Sequence, residues 1–530
     1  MQKICLTEQS FSEIRKAGGL YVDKTKHIYD LFRWDKYFFI ARPRRFGKSL
    51  LCSTLAELFA NNRALFKNTW IDNSDWQWDK YPVIHLDMGF AVSATGNTND
   101  IRQKLTNILF EIAKKYSVEL INTPDPGETL RQLITNIKAS TGKPVVVIID
   151  EYDKPLLDAI DKTDKFPAIH EELRTFYSPL KLLSAELKFV FITGVFKFAK
   201  TSIFSGFNNL KDITFSISAA TLCGYTEQEI KTFFSAHLEA LAKKNNVSLK
   251  AMMFKLQEQY NGYTFGVDVD TKQLAPGVYN PFALNYAFSE QQLLHKWFSS
   301  GSPTALIKKL AAEQFEELDP QELSIDFETL DDSCNPGDMT ALCLLYYAGY
   351  ITIKHYVKSK VHLDFPSLEV AQAFAKNLLP LLLQKGAFAT TRLLDKIRDL
   401  FVEHRLEDLK NLLNDALAPV AYPTLTKPQN DAPQEHLYQI AFYYLFIGSK
   451  MPTSLEDMTN RGRIDIIVQL PTSIYVFELK MNEPAAVAIQ QIKDKDYGAK
   501  FRHHGKKIYA IGISVSSQKR FVQELVWEAL

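Results

Sequence analysis

Cysteine is scarce in this 530-residue chain: Cys5, Cys52, Cys223, Cys334 and Cys343 are odd in number, scattered and never spaced as Cys-x-x-Cys. That excludes a disulfide framework and a thiolate zinc site, and points to a reducing cytoplasm. Excess charge of one sign is missing too, since 62 Lys and Arg face 61 Asp and Glu. No global basic field advertises nucleic acid, so any such binding falls to local grooves. The longest apolar stretch, around Ala341 to Ile353, is too short to span a bilayer and contains Gly349. The N-terminus lacks the positive-then-apolar pattern of an export signal, and the chain has no internal repeat or low-complexity tract. What is abundant is core material: 46% hydrophobic residues, with 36 Phe and 23 Tyr, enough for about three domains.

A short apolar strand, Tyr37 to Ala41, runs into Arg42-Pro43-Arg44-Arg45-Phe46-Gly47-Lys48-Ser49-Leu50-Leu51. A Gly-Lys-Ser opening a helix aims backbone N–H groups and a helix dipole at phosphate, adds an ammonium for the β- and γ-phosphates, and offers a hydroxyl to Mg²⁺. The first glycine of G-x-x-x-x-G-K-[ST] is absent, and Arg42 stands in its place. The run Val145 to Ile149 ends in Asp150 and Glu151, as expected of a strand buried on both faces with its carboxyl end at a nucleotide. Asp150 is expected to hold the Mg²⁺ shell and Glu151 to polarise the attacking water. An acid pair after a core strand also serves as a helix cap, and the phosphate loop upstream tips the reading to catalysis. Between the two in sequence lies another strand candidate, Val83 to Asp87, so the loop strand and the acid strand need not be sheet neighbours. A fourth, Phe189 to Gly194, ends in Thr193, whose hydroxyl is either a sensor of the γ-phosphate or a plain cap. Helical patterns at 101–116, 128–139 and 169–183 complete a strand–helix alternation. The residues expected to hold ATP are thus Arg45, Phe46, Gly47, Lys48, Ser49, Leu50, Asp150 and Thr193, with Ser49 and Asp150 on the metal.

Further along, helices are expected over 227–242 and 252–260, with Asn280-Pro281 starting another. Acids crowd 313–332 without an EF-hand pattern and read as an exposed connector. Leu344 to Ile353 reads as a winged-helix-like piece, a helix turning at Gly349 into a strand. Leu378 to Leu413 is more helix, and Pro419, Pro423, Pro428 and Pro433 mark a linker.

A second chemical centre lies at Gly462-Arg463-Ile464-Asp465-Ile466-Ile467-Val468, a turn, and Ile474-Tyr475-Val476-Phe477-Glu478-Leu479-Lys480. Strand side chains alternate, so Glu478 and Lys480 share a face and a hairpin return brings Asp465 beside them. Two carboxylates from adjacent strands suit Mg²⁺ or Mn²⁺, and the ammonium can position a water for attack on a phosphodiester. An isolated Glu-x-Lys is usually a cross-strand ion pair, but the added hairpin aspartate makes the combination uncommon. Glu435, on a helix over 435–446, is placed to add a third carboxylate. Gln491, on a helix beginning near Ala488, is placed to reach the metal or the nucleic-acid backbone. His503 and His504 read as a surface turn with a phosphate contact open to it. Arg174 and Lys200 lie where a trans-acting cation would stand, and each is equally a surface residue.

Tyr21-Val22-Asp23-Lys24-Thr25, the Arg-Pro-Arg-Arg loop, Ile149-Asp150-Glu151-Tyr152-Asp153, Thr193-Gly194-Val195, Ser202 to Leu210, Leu222-Cys223-Gly224-Tyr225-Thr226 and Tyr260-Asn261-Gly262-Tyr263 carry a resemblance. They resemble the family of prokaryotic AAA-ATPase-like proteins with a C-terminal PD-(D/E)XK nuclease-like domain, over nearly the whole chain. In that family the Arg-Pro-Arg-Arg form of the loop is usual. The resemblance also implies roles for Glu456, Thr459, Gln491, Ile492 and Tyr497 around the second centre. It implies an α/β fold class: an N-terminal P-loop NTPase with a parallel sheet and helical lid, then a C-terminal α/β PD-(D/E)XK nuclease-like domain. The corresponding boundaries are 1–215 for the ATPase core, 216–310 for the lid, 311–418 for a helical, winged-helix-like connector and 419–530 for the nuclease-like domain. The implied function is an ATPase coupled to a Mg²⁺-dependent nuclease acting on DNA, in defence or mobile-element biology. Asp465, Glu478, Lys480 and Glu151 are its catalytic residues, Glu435, Asp465 and Glu478 ligate the nuclease metal, Gln491 meets nucleic acid, and ring-forming relatives imply a homo-oligomer. A nucleotide-dependent switch that binds nucleic acid without cutting, and RNA in place of DNA, stay open at this point.

Overall fold

The apolar runs named above become the strands that carry the chemistry. The computed structural model describes residues 1–93, 96–159, 165–197, 203–204, 207, 209–294, 319–320, 323–332, 340–418, 434–459, 462–519 and 521–530. It divides into two compact units, Met1–Trp297 with Ser324–His362, and Phe298–Leu323 with Leu363–Leu530.

In the first unit β1 (Tyr37–Ala41), β2 (Val83–Asp87), β3 (Val145–Asp150), β4 (Leu187–Gly194) and β5 (Lys211–Asp212) form a parallel sheet in the order β2-β3-β4-β1-β5. The loop strand β1 and the acid strand β3 are indeed not neighbours. The strand that separates them is β4, whereas β2 sits at the sheet edge. Burial explains the placement: β4 is apolar and buried along almost its whole length, while His85 and Asp87 leave β2 exposed on one face.

The flanking helices start earlier than their periodicity suggests because their caps are polar. Asn97 caps Thr98–Tyr116, and Asp125 with Pro126 opens Pro126–Thr141, which ends on the left-handed Gly142. The pattern over 169–183 divides into Phe166–Tyr177 and a single turn, Pro179–Leu182. The expected helix over 227–242 is broken into Glu227–Phe233 and Ser235–Lys244. Phe234 leaves helical geometry there and stacks on Phe288 at 5.0 Å, a tertiary contact that overrides local periodicity. A Thr226/Glu229 capping box opens the first of these helices. Glu229 also pairs at 2.7 Å with the buried Lys24, whose ammonium donates to Thr221 O as well, so the N-terminal segment and the helical segment share one ion pair. Ile4, Leu20 and Val22 pack into the same apolar cluster as Leu241, Met252 and Leu284.

The acidic stretch falls partly outside the described residues. Its described part is ordered rather than an exposed connector: Ser324–Asp326 (β6) joins β7 (Thr352–Val357) and β8 (Lys360–Asp364) in a sheet ordered β6-β8-β7. Phe327–Asp331 is helical, with Leu330 fully buried. Asp331 pairs with Lys197, a side chain with no exposure that also meets Asp212 at 2.7 Å. The helix Ala341–Ala348 ends on Gly349 at φ 83° before β7, as the sequence suggested.

In the second unit the pattern over 378–413 resolves into three helices, Leu368–Leu382, Ala387–Val402 and Leu409–Leu417. The chain reverses at Gln384 and His404, both left-handed. The proline linker lies outside the described residues. β9 (Thr453–Thr459), β10 (Gly462–Gln469), β11 (Ser473–Met481), β12 (Lys507–Val515) and β13 (Val522–Ala529) form a sheet ordered β13-β12-β11-β10-β9. β11 and β12 are parallel and the other pairs antiparallel. The crossover between β11 and β12 carries the helix Ala485–Asp494, which lies so close to β12 that a Cβ on Gly512 would meet Ala485 O at 2.3 Å.

Candidate active sites

At the end of β1 the chain turns through Arg45 at φ 69° and Gly47 at φ 89° into the helix Lys48–Phe59, whose N-cap Gly47 offers no side chain to the first N–H groups. Backbone donors and a dipole are thus left facing the loop. Lys48 is buried, and its Nζ donates to Arg42 O and Pro43 O, each at 3.0 Å, which places the ammonium inside the loop. Ser49 and Leu50 follow in the first helical turn. Phe46 is buried edge-on against Tyr263 at 4.7 Å and Phe265 at 5.1 Å, and Gly224 N donates to Phe46 O. Arg45 stacks its guanidinium on Phe282 at 3.5 Å.

Arg42, in the place of the missing glycine, points away from the loop's mouth. Its guanidinium is 1% exposed, donates to Ala41 O, Thr214 O and Ala219 O at 2.8, 2.7 and 3.2 Å, and lies 4.4 Å from the Phe265 ring. It is a strut that ties the root of the loop to the chain beyond β5.

At the ends of β3 and β4, Thr193 donates to Asp150 Oδ1 at 2.6 Å and Glu151 N donates to the same oxygen at 3.0 Å. The Thr193 hydroxyl therefore orients Asp150. Glu151 adopts φ 52°, an uncommon conformation for a non-glycine residue, and burial raises its pKa against the opposing pull of Lys48. A carboxylate so placed is suited to accept a proton from water. Loop, lysine, hydroxyl and acid pair fit a nucleoside triphosphate with Mg²⁺. Asp153, two residues on, is fully buried and accepts from Val195 N and Phe196 N at 2.9 and 2.7 Å. It clamps the turn after β4, a role the sequence did not reveal. Arg174 is an exposed helix residue paired with Glu171, and Lys200 lies outside the described residues.

In the second unit the hairpin brings Asp465 of β10 against β11, where its Oδ2 accepts from Leu479 N at 2.7 Å. Glu478 and Lys480 share a face, with Lys480 Nζ 2.9 Å from Glu478 Oε1, while Phe477 and Leu479 are buried opposite. Gln491 donates its amide to the same Oε1. The other oxygen, Glu478 Oε2, is buried with no partner among the described residues. Burial raises the pKa of both Asp465 and Glu478, and the Asp465 charge raises that of Glu478 further. Two desolvated carboxylates that repel each other, one with an orphaned oxygen, fit a divalent cation that would neutralise both.

Glu435, in the first turn of the helix Gln434–Gly448, raises the pKa of both carboxylates through its charge and accepts from Met481 N at 3.1 Å. Among the described residues no three His, Cys, Asp or Glu side chains converge as a metal group, and Glu435 stands beside the pair. Tyr497 hydrogen-bonds Gln491 and Ile492 is core, whereas the side chains of Glu456 and Thr459 lie outside the described residues. His503 and His504 are exposed. The sequence reading missed Gln439, which hydrogen-bonds Asp465. The signal for it was its place one helical turn after Glu435.

A family model described as "Predicted AAA-ATPase" matches residues 6–204, and one described as "PD-(D/E)XK nuclease superfamily" matches residues 433–525. A curated relative from Azotobacter chroococcum mcd 1, an uncharacterized protein in the vnfD 5' region, is 32% identical over 538 residues, covering 100% of this chain and 99% of its own. Two solved Aeropyrum pernix structures also match. The ORC2 protein, in ADPNP–ADP complexes, is 10% identical over 69% of this chain and 90% of its own, with a TM-score of 0.24. The ORC1 protein, in complex with DNA, is 11% identical over 64% and 86%, also with a TM-score of 0.24. Overlaps that loose add nothing to the argument.

Proposed function

Because the chain belongs to the family of prokaryotic AAA-ATPase-like proteins that carry a C-terminal PD-(D/E)XK nuclease-like domain, we propose that it is an ATP-dependent, metal-dependent nuclease acting on DNA. The observation that carries this reading is the pair Asp465 and Glu478 with Lys480 beside them and one buried carboxylate oxygen unpartnered among the described residues. A divalent ion, when bound there, supplies positive charge to the scissile phosphate. Asp465 and Glu478 hold it, Leu479 N and Gln491 keep those carboxylates in place, and Lys480 orients the attacking water. In the first unit Lys48 and the loop N–H groups bind the β- and γ-phosphates, Ser49 and Asp150 hold Mg²⁺, Thr193 fixes Asp150, and Glu151 takes a proton from the attacking water. Nucleotide state then licenses cutting through the parts over 216–310 and 311–418 that join the ATPase core, 1–215, to the nuclease-like part, 419–530. Free buried thiols at Cys52, Cys223 and Cys343 suit a cytoplasmic setting, and self-association and a role against foreign or mobile DNA complete the reading.

The test is cleavage of linear and circular, single- and double-stranded DNA and of matching RNA, with Mg²⁺ or Mn²⁺, with and without ATP, by wild type, Lys48→Ala and Asp465→Ala. Cutting that disappears in Asp465→Ala and falls in Lys48→Ala is the expected result. Tight nucleotide binding with no cutting of any substrate overturns it in favour of a non-cutting switch, and RNA-only cutting overturns the choice of DNA.

A further inference from the structure

Behind the Asp465 carboxylate lies a polar chain that the proposed cutting reaction does not use. Gln439 is 4% exposed and its side chain hydrogen-bonds Asp465. Its Oε1 lies 2.9 Å from His436 Nδ1. His436 Nε2 in turn meets Asp319 Oδ2, on a carboxylate 2% exposed and 117 residues upstream. An amide accepts through oxygen and donates through nitrogen. With Oε1 accepting from His436 Nδ1–H, the Gln439 NH₂ is left to donate to Asp465. The opposite amide orientation would set a carbonyl oxygen against a carboxylate, two acceptors with no proton between them. Asp319 accepts from the far nitrogen, so the ring carries a proton on each nitrogen, an imidazolium held between a carboxylate and an amide oxygen, and neither ring nor amide is free to turn.

We propose that Asp319, His436 and Gln439 form a positioning relay that fixes the Asp465 carboxylate in the orientation a divalent metal ion requires. Gln439 holds Asp465 from one side and Leu479 N, at 2.7 Å, holds it from the other. Groups that orient a ligand without touching the ion typically change metal affinity by about 10–100-fold when removed. The relay rests on reading Asp465 as a metal ligand, and the test separates the two.

Full-length protein is titrated with Mn²⁺ alone, free Mn²⁺ is followed by electron paramagnetic resonance, and each variant is melted alongside. Gln439→Met, of similar volume but without a donor, is expected to bind Mn²⁺ roughly tenfold more weakly or worse, and His436→Ala to weaken binding as well. His436→Asn, whose amide can donate near the Nδ1 position, is expected to recover most of the loss from alanine. Gln439→Met with wild-type Mn²⁺ affinity overturns the relay. So does a loss of affinity that merely follows melting temperature, with no rescue by asparagine. Should Gln439→Met fail to fold, the contrast of His436→Ala with His436→Asn decides. If wild type binds no Mn²⁺, or Asp465→Asn binds it unchanged, the metal-site reading itself fails and the relay with it.

Discussion

Restoring the consensus glycine at Arg42 should damage this protein rather than improve it. The side chain gives three charge-assisted hydrogen bonds, to Ala41 O, Thr214 O and Ala219 O, and bonds of that kind contribute about 1.5–3 kcal/mol each. The Phe265 contact at 4.4 Å adds about 2 kcal/mol for a desolvated cation over a ring. A glycine at the end of β1 costs about 1 kcal/mol more in backbone entropy. Against these stands the penalty of burying a guanidinium, several kcal/mol, which the variant escapes. The balance is a loss of about 3 kcal/mol, which at about 2–4 °C per kcal/mol lowers the melting temperature by about 6 °C or more. Because Lys48 rests on the carbonyls of Arg42 and Pro43, nucleotide affinity should fall with it. Scanning calorimetry and titration with a fluorescent ATP analogue test both on the same sample. Arg42→Gly that melts with wild type and binds nucleotide more tightly would refute the strut.

Asp153 is held neutral by burial up to about pH 6, from an ordinary 3.8, so its folded-state pKa is raised. The corresponding stability, about 3 kcal/mol for a shift of about two units, is present at low pH and is lost as pH rises from about 4 to about 6. Asp153→Asn should flatten that slope in denaturant melts across the window, and an unchanged slope assigns it elsewhere. Burial raises the pKa of Asp465 and Glu478, helped by Glu435 at both and by Asp465 at Glu478, so a proton must leave the pair before a metal binds. Mn²⁺ affinity should therefore rise between about pH 6 and about pH 8, while metal-free stability declines over the same range, and a pH-independent dissociation constant contradicts this. Lys197→Met leaves Asp212 and Asp331 without the buried ammonium between them. A loss of about 3–5 kcal/mol is expected in urea unfolding, and a change below about 1 kcal/mol would mean that the pairs contribute little.

The parts of this fold that were legible are those whose signal is local. Gly47-Lys48-Ser49 after an apolar strand, the run into Asp150, and the alternation that puts Glu478 and Lys480 on one face each need only a few neighbouring residues. What stayed hidden depends on distant partners. Arg42 finds two of its three carbonyls 172 and 177 residues away, so its substitution for glycine read as a gap in a motif. The strand between β1 and β3 was open in sequence, although the polar His85 and Asp87 already marked β2 as an edge. The break at Phe234 is set by Phe288, and no periodicity within the helix carries it. His436 and Asp319 meet across 117 residues, and only Gln439, one turn from Glu435, left a trace that pattern reasoning can find.

The ion pair between Lys24 and Glu229 bears on how the molecule can be dissected. The matched ATPase region ends at residue 204, yet the sheet's last strand, two of the three carbonyls that Arg42 grips and the carboxylate that neutralises Lys24 all lie beyond it. A fragment trimmed to those limits would carry two stranded cations and an open sheet edge. Its failure to express or to bind nucleotide would then report where the cut was made, and leave the activity of the intact protein unmeasured.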